Sequence, residues 1–193
     1  MNRTDEELIR QVQDGDQSAF RDLMGRYRDK LMAFIYSVVR DYHLAEDIFQ
    51  ETFIRVYRQA DSYKEGYKFK TWLYTIALNR SRDRLRHFKR RPEIFLDSYP
   101  EWNWRKRLKS RIAGPRDLAG ARELEEVFRK QLGELSDEHR EVVVMSRLLG
   151  LKYDEIARVL GISSGTVRSR LHYALRELRQ KLKKNPTVSE FPV

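Results

Sequence analysis

Hydrophobic residues recur along this chain at spacings of three and four and nowhere alternate convincingly, a pattern that predicts helices and no strands. Thr4-Asp5-Glu6-Glu7 has the form of a capping box, a hydroxyl followed three residues on by a carboxylate, and Leu8, Ile9 and Val12 follow it. Asp14-Gly15-Asp16 breaks that helix. Phe20, Leu23, Met24, Tyr27, Leu31, Phe34, Ile35 and Val38 mark a longer one, Asp41-Tyr42-His43 interrupts, and Leu44, Ile48, Thr52, Phe53, Val56 and Tyr57 mark a third. After a polar loop at 61–70, Trp72, Leu73, Ile76, Ala77 and Leu85 carry a fourth helix that turns strongly basic toward Arg91.

From Pro92 to about Gly120 the pattern dissolves among prolines and glycines, with Trp102 and Trp104 beside Arg105, Lys106 and Arg107. Structureless loops of this length are uncommon inside a compact domain, so the segment reads as a linker. Fully extended, roughly 28 residues reach up to about 95 Å. Periodicity resumes with Leu124, Val127, Phe128 and Leu132, and Ser136 is placed to cap a helix through Val142, Val143 and Met145. The expected fold is all-α: two small helical domains, 1–92 and 121–185, joined by a flexible linker at 93–120 and followed by a tail at 186–193.

The stretch from Gly150 to Leu182 is the most informative. Ile156, Ala157 and Leu160 share one face of a short helix, and Gly161 stands where a helix stop belongs. Ser163 or Ser164 offers a cap for the next helix, along which Val167, Leu171, Leu175, Leu178 and Leu182 form one apolar stripe. The opposite face carries Thr166, Ser169, His172, Tyr173 and Arg176, with Arg168 and Arg170 on its flanks. This is the layout of a helix-turn-helix whose second helix lies in a DNA major groove. Taken alone it also fits a plain helical hairpin with a solvated basic face. The formal charge of +10, from 39 Lys and Arg against 29 Asp and Glu, argues for the phosphate-binding reading.

Composition removes other classes. The absence of cysteine excludes disulfides and thiolate metal sites and fits a reducing cytoplasm. No apolar run approaches the roughly 20 residues of a membrane span, and the acidic N-terminus has no signal-peptide core. His43, His87, His139 and His172 are scattered without metal-ligand spacing, and nucleotide-cradling glycine motifs are missing, so neither metal nor cofactor is expected. Gly161-Ile162-Ser163-Ser164-Gly165 matches the string of a hydrolase nucleophile elbow, but a helix precedes it and no acid follows in order. The expectation is that the chain is not an enzyme.

Two further constellations stand out. Glu46, Asp47, Gln50 and Glu51 cluster on one acidic helix face, either solvated or facing a basic partner helix. Tyr63, Tyr67, Phe69, Trp72 and Tyr74 precede Asn79, Arg80, Arg82, Arg84, Arg86, Lys89, Arg90 and Arg91. Rings interleaved with cations suit single-stranded nucleic acid, at about 1–3 kcal/mol per stacked base; core packing beneath a basic helix surface explains them equally well.

Three blocks together resemble bacterial RNA polymerase sigma factors of the small, extracytoplasmic-function type of the sigma-70 family. They are AEDIFQETF at Ala45–Phe53, FKTWLYTIALNRSRDRLR at Phe69–Arg86 and LGLKYDEIARVLGISSGTVRSRLHYALRELR at Leu149–Arg179. The resemblance implies a cytoplasmic subunit that binds core polymerase, on the coiled coil of the largest subunit and the flap of the second-largest, and directs promoter-specific initiation. It casts Glu46, Asp47, Gln50, Glu51 and Phe53 as polymerase contacts. Tyr63 and its loop would pocket a flipped base of the minus-ten non-template strand. Trp72, Ile76, Ala77 and Asn79 would line that strand's path, with Arg80 and Asp83 further along the helix. Arg168 and Ser169 would read the minus-thirty-five duplex, with Arg170 on phosphate and Thr166, His172, Tyr173 and Arg176 on the same face. An anti-sigma partner is a family expectation. Leu135-Ser136 departs from the common Leu-Pro, and Tyr173 stands where arginine is frequent. The linker with Trp102 and Trp104 either threads a polymerase channel or docks a regulator. The competing class is an autonomous helix-turn-helix regulator on duplex operators, which needs neither the acidic nor the aromatic-basic helix.

Overall fold

The computed structural model describes residues 3–64, 66–89, 127–128 and 130–183, and among these every regular element is helical. Helix α1, Asp5–Gln13, opens on the expected capping box: the Glu7 N–H donates to Thr4 Oγ1 at 3.2 Å, and the Thr4 N–H donates to the Glu7 carboxylate at 2.7 Å. Helix α2, Gln17–Val39, is capped by the Asp16 carboxylate and stops at Arg40, a non-glycine residue in the left-handed region at φ 60°. Helix α3, Tyr42–Arg58, starts where the Leu44 N–H donates to Asp41 at 2.7 Å, so Tyr42 and His43 begin the helix instead of interrupting it. A short 3₁₀ turn, Ala60–Ser62, leads to α4, Phe69–Lys89.

Helix α2 packs against α1, α3 and α4. Leu8, Ile9, Leu23, Leu31, Phe34, Ile48, Phe53, Leu73 and Tyr74 fill the space between them, each worth about 1.5–3 kcal/mol of burial. Tyr27 sits across edge-to-face ring contacts with Phe69 and Tyr74 and donates to Asp5; burial first, and that carboxylate second, raise its pKa well above the ordinary phenol value.

In the C-terminal half Ser136 caps α5, Asp137–Val143, by accepting from the His139 N–H at 3.3 Å. The helix then widens into a π segment, Val144–Leu148, where the Leu149 N–H reaches back five residues to the Val144 carbonyl at 3.1 Å. Helices α6, Tyr153–Leu160, and α7, Ser164–Lys183, follow and pack on each other, with α5 against α7. The proposed linker at 93–120, with Trp102 and Trp104, and the tail at 186–193 lie outside the described residues.

The two helical halves pack on one another. Helix α6 lies against α4, and α2 meets α5 and the π segment. One apolar cluster runs from Leu8 through Tyr74 and Met145 to Leu178. Each half has an amphipathic surface that the other covers, a relation that periodicity within single helices does not reveal.

Candidate nucleic-acid interface

The turn between α6 and α7 is built for sharpness. Gly161 closes α6 at φ 68°, a conformation costly for a residue with a Cβ. Two residues on, Ser163 is the cap of α7: its Oγ accepts the Thr166 N–H at 3.0 Å and lies 2.8 Å from Thr166 Oγ1. Ser164, the other candidate cap, donates instead to Asp154 of α6 and ties the two helices together. Along α7 the buried stripe is Val167, Leu171, Ala174 and Leu178, with Leu175 and Leu182 only half-buried.

That stripe fixes what α7 shows to solvent. Arg168, Ser169, His172, Tyr173 and Arg176 are exposed, while Thr166 and Arg170 are half-buried. Arg170 leans back to pair with Glu138 of α5 at 2.8 Å, and the Arg176 guanidinium lies 5.1 Å from the centre of the Tyr173 ring, a cation–π arrangement. His172 meets the same ring edge-on at 5.5 Å. Arg168 makes no ion pair among the described residues, so its guanidinium is available to a ligand. A helix N-terminus carrying free donors, on a rigid two-helix base, can enter a major groove and meet base edges.

On α3 the outward face holds exposed Asp47 and Gln50, with Glu46 half-buried and accepting from the Tyr42 hydroxyl at 3.0 Å. Glu51 is bridged to α4, paired with Arg80 at 2.6 Å and with Arg84. Phe53 is core, its ring 5.0 Å from Phe49 and 5.9 Å from Phe20.

The aromatic loop and α4 form a stacked cluster. Tyr63 lies 5.4 Å from Trp72 and 6.3 Å from Phe69, and its hydroxyl donates to the Tyr67 carbonyl. Tyr63, Ile76 and Ala77 are buried, Trp72 and Arg80 half-buried, and Asn79 and Asp83 exposed. Asp83 pairs with Arg86 one turn on. Trp72, Ile76, Asn79, Arg80 and Asp83 line a cavity of about 970 Å³ whose far wall comes from α5.

Sequence reasoning missed the charged seam between the two helical halves. Glu155 of α6 pairs with Lys68 at 2.6 Å and Lys70 at 2.9 Å and also accepts the Lys152 N–H at 2.8 Å. Burial alone would push its pKa up; the hydrogen bonds from Lys68, the Lys152 N–H and Lys70 overcome that and hold it at about 2. Glu141 of α5 pairs with Arg82 at 2.8 Å, but there burial prevails and its pKa is raised. Buried Arg140 donates to the Ser37 carbonyl at 2.7 Å and to the Leu135 carbonyl at 3.1 Å, and Arg40 donates to the Gly133 carbonyl. The available signal was weak: charged residues flanking otherwise apolar helical positions.

A capped turn, a buried stripe and an exposed polar and cationic face define a helix-turn-helix DNA-binding protein. Residues 23–91 match the model of the family described as Sigma-70 region 2, and residues 125–178 match that of Sigma-70, region 4. The chain belongs to the sigma-70 family of RNA polymerase sigma factors. It is 37% identical over 179 residues to the ECF RNA polymerase sigma factor SigW of Bacillus subtilis (strain 168), covering 91% of this chain and 95% of that one. It is 34% identical over 182 residues to the ECF RNA polymerase sigma-E factor of Escherichia coli (strain K12), covering 93% and 94%. Among solved structures it is similar to CnrH in complex with the cytosolic domain of CnrY, at TM-score 0.69 and 27% identity over 94% of this chain and 98% of that one. It is also similar to the sigma factor RpoE of Bartonella quintana, solved with the anti-sigma factor NepR, at TM-score 0.64 and 27% identity over 86% and 98%. Among the described residues no helix is long and apolar enough to cross a membrane.

Proposed function

We propose that this sigma factor docks on core polymerase through the outward face of α3, reads the minus-thirty-five duplex with α7 and captures the melted minus-ten strand with α4 and its aromatic loop. Asp47 and Gln50 touch the polymerase directly, with Glu46 and Glu51 at the margin and Phe53 holding the helix from beneath. Arg168 and Ser169 read base edges; Arg170, once released from Glu138, takes a phosphate, and Thr166, His172, Tyr173 and Arg176 complete the contact surface. Trp72 and Asn79 meet the strand, Tyr63 shapes the pocket for an extruded base, and Ile76 and Ala77 set the helix behind it, with Arg80 and Asp83 beyond.

The observation that carries this reading is the capped, exposed N-terminal half of α7 on a chain that also presents the acidic α3 face. Each domain alone binds DNA weakly, and joining them makes the second contact effectively intramolecular. Extruding a base costs a few kcal/mol, recovered only when the right base fills the pocket. The chain contributes selection and strand opening, while bond formation belongs to the polymerase; we place it in the cytoplasm and outside the enzymes. The two solved relatives are each held by another protein, and we extend control by an anti-sigma factor to this chain. The test is gel filtration with purified core polymerase, followed by binding to duplexes with a randomised upstream element. Co-elution with selection of one upstream sequence supports the reading; selection without co-elution would make the chain an autonomous regulator.

A further inference from the structure

Glu51, Arg55 and the C-cap Gln59 follow one another at one-turn spacing on α3, and Glu51 reaches Arg80 and Arg84, so this ridge runs beside α4. Arg55 stands about 80° around the helix from Asp47, to the side of the proposed docking face. Arg55 and Gln59 are exposed, and both line the cavity that Trp72, Ile76 and Asn79 line from α4. The Arg55 Nε–H donates to Gln59 Oε1 at 3.2 Å. Arg55 makes no ion pair among the described residues, and its two terminal NH2 groups stay available to a ligand. The arginines of α4 are placed differently. Arg80 and Arg84 share Glu51, Glu141 takes Arg82, and Asp83 takes Arg86. The cations closest in sequence to the strand-reading residues are therefore neutralised, while the guanidinium without a carboxylate comes from the neighbouring helix.

We infer that Arg55 of α3 is a phosphate contact for the minus-ten strand, with Gln59 as the positioning residue that aims it. This rests on the strand-reading role given to α4. A strand that turns its bases onto Trp72 and Asn79 leaves its phosphates to the rim of the cavity, where exposed Arg55 stands. Recruiting Arg80, Arg82 or Arg86 to a phosphate breaks an existing ion pair; recruiting Arg55 breaks none. A guanidinium fork also matches two phosphate oxygens at once. Gln59 Oε1 occupies the Nε–H and so fixes the plane of that fork. The work is thereby divided: α4 meets bases with a ring and an amide, and α3 meets the backbone with a charge. One helix then serves two ligands, polymerase on its outward face and the strand on its flank.

The test uses the full chain bound to core polymerase. The probe is a single-stranded oligonucleotide of about 15 nucleotides selected from a random pool by the parent complex, with binding to core polymerase alone subtracted. Arg55→Gln should weaken its binding severalfold and make the slope of log affinity against log salt shallower by about 0.7, the share of one phosphate on a single strand. Arg55→Lys keeps the charge and should restore the slope. An unchanged slope in Arg55→Gln, or an equally shallow one in Arg55→Lys, overturns the phosphate contact. Gln59→Ala should weaken binding at parental slope, because the charge stays and only its aim is lost; parental affinity overturns the positioning role. Both side chains are exposed, so the variants should melt with the parent. Affinity for labelled core polymerase should also match the parent, and a loss there moves Arg55 to the docking surface and overturns the strand contact. A parent complex that holds no strand beyond core polymerase alone overturns strand reading by α4, and the Arg55 contact with it.

Discussion

Replacing Asp47 and Glu51 one at a time separates docking from packing on α3. Both point outward, four residues apart, but Asp47 is exposed without an ion pair among the described residues while Glu51 holds Arg80 and Arg84 of α4. The Glu51 side chain is 24% exposed against 31% for Arg80 and 38% for Arg84, so water screens both pairs. Screened pairs contribute roughly 0.2–1 kcal/mol each, and Glu51→Ala should therefore cost about 1 kcal/mol and at most about 2. At 2–8 °C per kcal/mol for domains of this size range, the melting temperature should drop by several degrees, roughly 2–8 °C. Asp47→Ala should stay within about 0.5 kcal/mol of the parent. Binding to fluorescently labelled core polymerase should weaken in both variants, and thermal melts by circular dichroism should separate them. A Glu51→Ala protein that melts with the parent would remove the clamp onto α4. Parental polymerase affinity in both variants would remove the α3 face from the docking surface.

Arg168→Ala should lower discrimination for the upstream element by about 1–3 kcal/mol if the guanidinium reads a base; a uniform loss across sequences, measured on a duplex panel, would make it a phosphate contact. Ser163→Ala should cost about 1 kcal/mol through the lost α7 cap, read as a lower urea midpoint with unchanged slope. The seam should respond to acid with a definite sign. Glu155 takes up its proton at about 2 when clamped and near 4.5 when free, so its contribution to closure is whole above about pH 4.5 and is lost as pH falls toward 2. Glu141 is shifted the other way by burial, so its ionised form costs stability and that cost is relieved as pH falls through its raised pKa. Thermal melts against pH check both.

Much of this fold is legible because its elements obey local rules. The Thr4 box, the Ser136 cap and the Gly161 stop are read from residues a few positions apart, and each recurs in the structure. The α7 stripe shows where such rules thin out. Ala174 and Leu175 both keep helical spacing between Leu171 and Leu178; the larger residue attracts the eye, but the phase of the helix buries the smaller. Phe53, Tyr63 and Ala77 are named for function by family position, yet all three are buried in this closed conformation, which reflects how core and site share the same helices. The seam was the illegible part. Lys68 and Glu155 are 87 residues apart, and an amphipathic pattern says which face is polar without saying that another domain will cover it. Charged residues on such faces are mostly solvated; Glu141, Glu155 and Arg140 are exceptions that tertiary packing creates.

Run-off transcription on a fragmented genomic template, with purified bacterial core polymerase and with or without this protein, tests the central claim most directly. Discrete new transcripts that depend on the protein, with start sites sharing an upstream and a minus-ten element, are the expected result. Transcripts identical in its absence, together with failure to co-elute with core polymerase, would contradict the account.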